Sequence, residues 1–265
     1  MIGMSLLYDE TVMAAYIFKK PKSKEDYEEM LYKCLELQMP RGMFLSLCPR
    51  YVPHTDIVNT IAWLASLRAH RTKPMCDWFL PSSFADHILQ LKPVEAILQT
   101  YLGRWMPETD ELEHVFVLIL EPSHSWYMMV LDVKKGKVLA LDICRTNENK
   151  TRRERNMRTI VSYCCLPGKP MLSCNAFHYC CQMPDIFFWD ISPFTIKDDD
   201  TPIWCLYWLQ LDGNFNPALL SKKLNEGKVR MRTATNIVNA ETNQNKLEVK
   251  VNSEMAWRKL FRTVA

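Results

Sequence analysis

The sequence predicts an α+β fold in which helices and strands are segregated along the chain rather than alternating. Two observations carry this. Residues up to about 102 keep helical spacing, interrupted by cap residues and prolines. The apolar period then changes: Val115-Phe116-Val117-Leu118-Ile119-Leu120 runs unbroken between His114 and Glu121-Pro122, the pattern of a central strand buried on both faces. Two more strand-like runs follow across one tight turn, and the rest of the chain returns to helical patterning. The expectation is a central antiparallel or mixed sheet flanked by helices, with a helical C-terminal extension.

Each element has its own local reason. Ser23 opens a helix-capping Ser-Lys-Glu-Asp stretch, and Leu31, Cys34, Leu35 and Leu37 fall on one side of the helix expected to follow. Thr55 or Asp56 can cap a second helix over 55–69, in which Ile57, Ile61, Leu64 and Leu67 keep helical spacing. Residues 75–80 form a short apolar run, ended by Pro81, that reads as a strand or buried turn. Ser82 or Ser83 opens a helix through Leu91, and Pro93 restarts it through about Leu102. Trp126 to Asp132 is the second strand and Val138 to Asp142 the third. Lys134-Lys135-Gly136-Lys137 turns between them, with Gly136 free to take a positive φ. Residues 148–165 form a basic, then apolar, helix. Pro202 precedes an apolar helix over Ile203–Leu211, and helical propensity continues from Lys228, with Trp257 and Leu260 as its last apolar anchors.

Composition narrows the function classes. In 265 residues, 48% are hydrophobic and 24% charged, which supports a packed core and excludes a disordered chain. Only 7 glycines occur, and no P-loop or G-x-G-x-x-G run exists, so the common nucleotide cradles are absent. The net charge of +3 is too balanced to argue for a nucleic-acid surface. No apolar run approaches the roughly 20 residues of a membrane span. The apolar start through Leu7 is followed at once by Asp9 and Glu10, with no basic region before it, so no secretory signal is read. The 10 cysteines are therefore expected to be reduced thiols in a nuclear or cytoplasmic protein. One domain over 1–228 is expected, with the helical extension over 229–265.

The block that carries chemistry is Glu121-Pro-Ser-His-Ser-Trp-Tyr-Met-Met-Val-Leu-Asp132 with the strand that ends at Asp142. In an antiparallel pair the start of one strand and the end of the other share a sheet edge. An imidazole at the first and a carboxylate at the second can meet there, and the carboxylate can orient the ring.

These residues resemble the ubiquitin-like-protein-specific cysteine proteases, which include the SUMO proteases, and more narrowly their plant, transposon-associated branch. The resemblance begins at Arg41-Gly-Met-Phe and Ile57-Val-Asn-Thr-Ile-Ala-Trp-Leu, and strengthens at Trp78-Phe-Leu-Pro-Ser-Ser-Phe-Ala85. It is clearest at Ser125-Trp-Tyr-Met-Met-Val-Leu-Asp132 with Leu141-Asp142. It resumes at Ile203-Trp-Cys-Leu-Tyr-Trp-Leu-Gln210 and Val229-Arg-Met-Arg-Thr-Ala234. It implies a papain-like cysteine protease fold. It also implies cleavage after the Gly-Gly tail of a SUMO-like modifier threaded under a Trp, with no cofactor and no metal. In that frame Asp142 is the triad Asp and Trp126 the channel Trp.

The other positions depart from the family pattern. Ser125 stands in the His frame, and His124 lies one residue earlier; a one-residue slip turns a strand side chain to the opposite face. Asp200-Thr201-Pro202 stands where the family has Asp-Cys-Gly, so Thr201 occupies the nucleophile frame and Pro202 removes a backbone N–H. No Gln lies in the oxyanion frame; Gln182 is too far back. A Thr hydroxyl without a base is a poor nucleophile, so the expected activity is absent or very weak. Three functions stay open: a thiol isopeptidase, a pseudoprotease that binds a modifier tail, and a domesticated transposon-derived interaction protein.

Blander readings accompany these. Asp142 can cap the turn after its strand, His124 can be a loop residue, and Cys205 can be a small core residue one helical turn past Thr201. Cys164, Cys165, Cys174, His178, Cys180 and Cys181 lack the spacing of a zinc site. The run Lys150–Arg158 reads as the solvated face of its helix, and Phe187-Phe188-Trp189 as a core or edge strand.

Overall fold

The computed structural model describes residues 7–35, 37–72, 74–164, 185–188, 198–211, 217–220 and 224–262. The chain divides into two compact units: Met1–Ile61 with Lys223–Ala265, and Ala62–Lys222.

The first unit contains α1 (Tyr8–Ile17), α2 (Lys24–Glu28), β1 (Met30–Lys33), β2 (Gln38–Pro40), α3 (Arg41–Phe44) and, after the intervening unit, α10 (Glu226–Asn239) and α11 (Lys246–Arg262). α10 and α11 pack against α1 and β1, and Trp257 sets its ring edge-on to Tyr8 at 6.4 Å. The helix expected after Ser23 is real but short. Ser23 Oγ accepts the Asp26 N–H at 3.2 Å, yet the helix ends at Glu28 and the chain turns into the β1–β2 hairpin. The cause lies about 210 residues away. Asn243 Nδ2 donates to Leu31 O, and Asn245 Nδ2 to Met30 O, both at 2.9 Å. Those tertiary bonds hold 30–31 extended, against a local pattern that reads as helix. Leu35, placed by the sequence on the helix's apolar side, is exposed.

The second unit is built on a five-stranded sheet in the order β3-β4-β5-β6-β7: β3 (Asp77–Leu80), β4 (His114–Leu120), β5 (Trp126–Asp132), β6 (Lys137–Leu141) and β7 (Ile186–Phe188). The β4-β5-β6 meander is antiparallel, with Leu120 opposite Trp126 and Met128 opposite Leu141. β3 and β7 join it in parallel on either side, so the sheet is mixed. Gly136 takes φ 59° in the β5–β6 turn, as only a residue without a Cβ does freely. Every residue of β5 is buried, which explains its unbroken apolar run.

Helices cover the sheet. Between β3 and β4 run α5 (Ser82–Leu89) and α6 (Val94–Tyr101), and after β6 runs α7 (Asn147–Cys164). α5 packs on β4 and on α7. α8 (Thr201–Leu209) packs on β5. All nine of its residues are buried, as a helix with apolar side chains on every side requires. α4 (Thr55–Arg71) and the short α9 (Pro217–Leu220) complete the described α-helices.

Candidate functional site

The site forms where β5 begins and β6 ends. Glu121 N–H donates to Ser125 O and His124 N–H donates to Glu121 O, both at 2.9 Å. These bonds close a three-residue loop, Pro122-Ser123-His124, in which His124 takes φ 64°. A turn followed by one left-handed residue is a standard short hairpin connection, and His tolerates that conformation better than most side chains. The loop decides which residue faces inward. His124 is exposed in the turn, and Ser125 is 1% exposed. Of the two candidates for the His frame, the structure brings Ser125 to the site and leaves His124 outside it.

Asp142 follows Leu141, the partner of Met128, and so falls beside Tyr127 at the same edge. It is buried, and a residue from α7 meets it there. The buried face of α7 carries Arg153, Met157, Ile160, Val161 and Cys164, a helical stripe with a single charged member. Arg153 Nη1 donates to Asp142 Oδ1 at 2.5 Å, and Nη2 to Ser125 Oγ at 2.7 Å. Nη2 and Nε also donate to Glu121 Oε2 at 2.8 and 3.1 Å. The guanidinium lies 4.9 Å from the centre of the Tyr127 ring. From the solvent side Arg152 grips both oxygens of Glu121 with two bonds of 3.0 Å. Two carboxylates thus share two guanidinium groups, with Glu121, Ser125, Asp142 and Arg153 all buried.

Asp142 is not fully satisfied. Its Oδ1 also accepts the Cys144 N–H at 3.2 Å, whereas Oδ2 is buried without a hydrogen-bond partner. Burial pushes the Asp142 carboxyl above the ordinary carboxylate range, against the opposing pull of the Arg153 charge. The Cys144 bond is the turn cap that the sequence allows for Asp142; the Arg153 pair comes in addition.

Thr201 opens α8, with Pro202 behind it in the first turn, where a missing N–H costs nothing. Thr201 is wholly buried, and its Oγ1 accepts the Trp126 backbone N–H at 2.8 Å. That bond ties the start of α8 to the start of β5. Trp126 is itself buried. Cys205 is wholly buried one turn further on. Burial, and then the Asp142 charge, push its thiol far above the ordinary range, so it offers no thiolate. The edge therefore unites Ser125, Trp126, Asp142 and Thr201, but it presents a hydroxyl where a thiol is expected and a guanidinium beside the carboxylate.

Sequence reasoning missed Glu121 and Arg153. Glu121 reads only as a strand boundary, and Arg153 sits inside a run that reads as solvated. The available signal was spacing: Arg153 lies four residues before Met157 and seven before Ile160, on the apolar stripe. Phe187 and Phe188 lie in β7, an end strand of the sheet among the described residues. Cys165, Cys174, His178, Cys180, Cys181, Gln182 and Trp189 lie outside the described residues. Among the described residues no group of three or more His, Cys, Asp or Glu could hold a metal ion, and no helix is long and apolar enough to cross a membrane.

This architecture, a mixed sheet flanked by helices with α8 seated on β5, matches the fold of the Ulp1-like SUMO proteases. No protein-family model and no curated protein matches the chain. The solved structures it is similar to include the SUMO protease Ulp1 with its catalytic cysteine oxidised to a sulfenic acid, at a TM-score of 0.61 and 15% identity. That match covers 90% of this chain and 98% of the other. The Ulp1 protease domain in complex with Smt3, the yeast orthologue of SUMO, gives a TM-score of 0.61 at 14% identity over 92% and 99% of the two chains. The Ulp1-like SUMO protease catalytic domain of Chaetomium thermophilum gives 0.61 at 15% identity over 91% and 94%.

Proposed function

We propose that this chain is a SUMO-protease-fold protein that engages the extended C-terminal tail of a SUMO-like modifier beside Trp126 and hydrolyses it very weakly or not at all. The observation that carries the reading is the pair of partners at the edge. Ser125 Oγ, in the frame of the general base, is bonded to Arg153, and Thr201 Oγ1, in the frame of the nucleophile, is bonded to the Trp126 N–H. Neither arrangement yields an activated nucleophile. A Ser cannot take the proton of its neighbour as an imidazole does, and a Thr hydroxyl has no thiolate to offer. An enzyme of this kind that loses its nucleophile keeps only the ~10³–10⁴-fold that binding and oxyanion contacts supply. The partner is inferred from the neighbour solved with Smt3. The described cysteines Cys34, Cys48, Cys76, Cys144, Cys164 and Cys205 are free thiols, which fits a reducing, nuclear or cytoplasmic compartment. The plant, transposon-associated origin stays part of the proposal on the sequence blocks alone.

The test has two arms. Calorimetric titration with SUMO is expected to show binding that Trp126→Ala weakens, and absence of binding at high micromolar concentration defeats the partner assignment. A SUMO probe with an electrophilic C-terminus is expected to leave the unaltered chain unlabelled. Labelling that Cys205→Ala abolishes would make it an active enzyme with a displaced nucleophile.

A further inference from the structure

We infer that Arg153 is the residue that bars base catalysis at this edge, and that the reaction cannot be restored at positions 125, 201 and 202 while its guanidinium stays in place. The inference rests on the reading of this edge as a protease site that has lost its chemistry. Its physical content concerns the site alone.

Three observations carry it. The first is space. Arg153 Nη2 stands 2.7 Å from Ser125 Oγ, a hydrogen-bond distance. In Ser125→His a ring carbon would take the place of that oxygen, and a carbon cannot approach a guanidinium nitrogen so closely. The second is the carboxylate. A triad Asp holds the imidazole in the right tautomer and stabilises the imidazolium formed when the ring takes the nucleophile's proton. Here Asp142 already neutralises a cation, through the 2.5 Å bond from Arg153 Nη1. Its Oδ2 has no partner, so an acceptor for a ring N–H remains. What the edge lacks is room for the ring and an uncompensated negative charge. The third is the sign of the field. An imidazolium at 125 would touch the Arg153 guanidinium. The carboxylates in reach, Glu121 and Asp142, are already balanced by Arg152 and Arg153, with Arg145 adding positive charge near Asp142, so the protonated form that a general base must reach is disfavoured.

Arg153 does not drift free of this position. Its other bonds run to Glu121, which Arg152 holds from outside, and its ring contact runs to Tyr127. Burial at 1% exposure leaves the guanidinium no aqueous alternative.

The test compares two variants. One carries Ser125→His, Thr201→Cys and Pro202→Gly. The other adds Arg153→Gln with Glu121→Gln, a neutral pair that keeps the hydrogen bonding between α7 and the turn and removes one charge of each sign. Labelling by the electrophilic SUMO probe is expected to be at least ~100-fold faster in the second, the lower end of what a positioned base supplies. NMR titration of the introduced imidazole reads the same effect without any partner protein. Its pKa is expected below the ordinary value of about 6.5 with Arg153 present, and above it once Arg153 is neutralised. Equal labelling rates together with an undepressed imidazole in the first variant would overturn the inference. If the second variant fails to fold, the titration of the first alone decides: a depressed pKa supports the role of Arg153 and an ordinary one refutes it. Labelling of the unaltered chain would instead defeat the proposed function while leaving the imidazole test standing.

Discussion

Arg41 and Arg153 are the largest fully buried side chains among the described residues, one in each compact unit. Each lies against a tyrosine ring, Arg41 at 4.6 Å from Tyr16 and Arg153 at 4.9 Å from Tyr127. Their partners differ in kind. Arg41 ties backbone together: Nη1 donates to Tyr16 O and to Ile17 O, and Nε to Asp26 O. Its one carboxylate, Glu29, is a quarter exposed. Arg153 bonds no backbone acceptor among its described contacts; it holds two buried carboxylates and a buried hydroxyl. The first arrangement is a splint for a chain reversal. The second is a charge cluster, and it sits at the sheet edge that brings Ser125, Asp142 and Thr201 together. A buried charge cluster is weak evidence for stability as such, because apolar packing often serves as well. Its position beside Ser125 and Asp142 is what gives it meaning.

The largest expected effect separates the two. Arg153→Met leaves Glu121 buried with the exposed Arg152 as its partner and Asp142 buried with only the more distant charge of Arg145, and should cost about 3–5 kcal/mol in urea unfolding. Arg41→Met leaves carbonyls at the end of α1 and a carboxylate that water can reach, and should cost about 1–3 kcal/mol. Adding Glu121→Gln and Asp142→Asn to Arg153→Met should recover most of its loss, since no buried charge is left uncompensated and Arg152, which loses Glu121, is exposed to water. Equal costs for the two single variants, or no recovery in the triple, would break the distinction between splint and cluster.

The same contrast marks how far the sequence could be read. The β4-β5-β6 meander, α8 and the place of Asp142 were legible because each rests on a local signal: an unbroken apolar run, a Gly in a turn, a Pro at a helix start. The β1–β2 hairpin was not, because Asn243 and Asn245 hold it from the far end of the chain. That Asp142, Trp126 and Thr201 meet at one edge was legible through family blocks. It was ambiguous at 124–125, where strand patterning cannot decide register and one left-handed backbone angle can. Arg153 stayed hidden because its run is basic by composition and only one of its arginines sits on the apolar stripe.

A smaller effect sharpens the account of the cluster through pH. Since burial raises the Asp142 carboxyl in the folded state, the folded chain holds a proton there only in the pH window between the unfolded and the folded carboxyl values, where the unfolded chain has already released it. Stability from this group is present below the unfolded carboxylate value and is lost as pH rises through the raised folded value. Asp142→Asn should therefore flatten that part of the profile. The gap between variant and parent should shift in the variant's favour as pH rises across the acidic range. At pH 7 the variant also loses a charge-assisted bond to Arg153, so its net change should stay within about 2 kcal/mol of the parent. Urea midpoints taken at several pH values from 4 to 7 read both quantities. An unchanged gap would mean that Asp142 titrates as it does in the unfolded chain, and that Arg153 fully offsets its burial.

The smallest effects test the register on which everything at this edge depends. His124 and Ser125 are chain neighbours with opposite burial. Ser125→Ala removes an acceptor from Arg153 and should cost about 1–2 kcal/mol. His124→Ala removes an exposed ring and should change stability by less than about 0.5 kcal/mol. His124→Gly should gain roughly 0.5–1 kcal/mol, because φ 64° strains any residue with a Cβ while glycine adopts it freely at some entropic cost. The signs matter more than the sizes. A loss at 125, silence at 124→Ala and a gain at 124→Gly together place the imidazole in the turn and the hydroxyl in the cluster. A silent Ser125→Ala with a destabilising His124→Ala would shift the register by one residue. It would return an imidazole to Asp142 and require Arg153 to be read as a partner of a working base rather than its replacement.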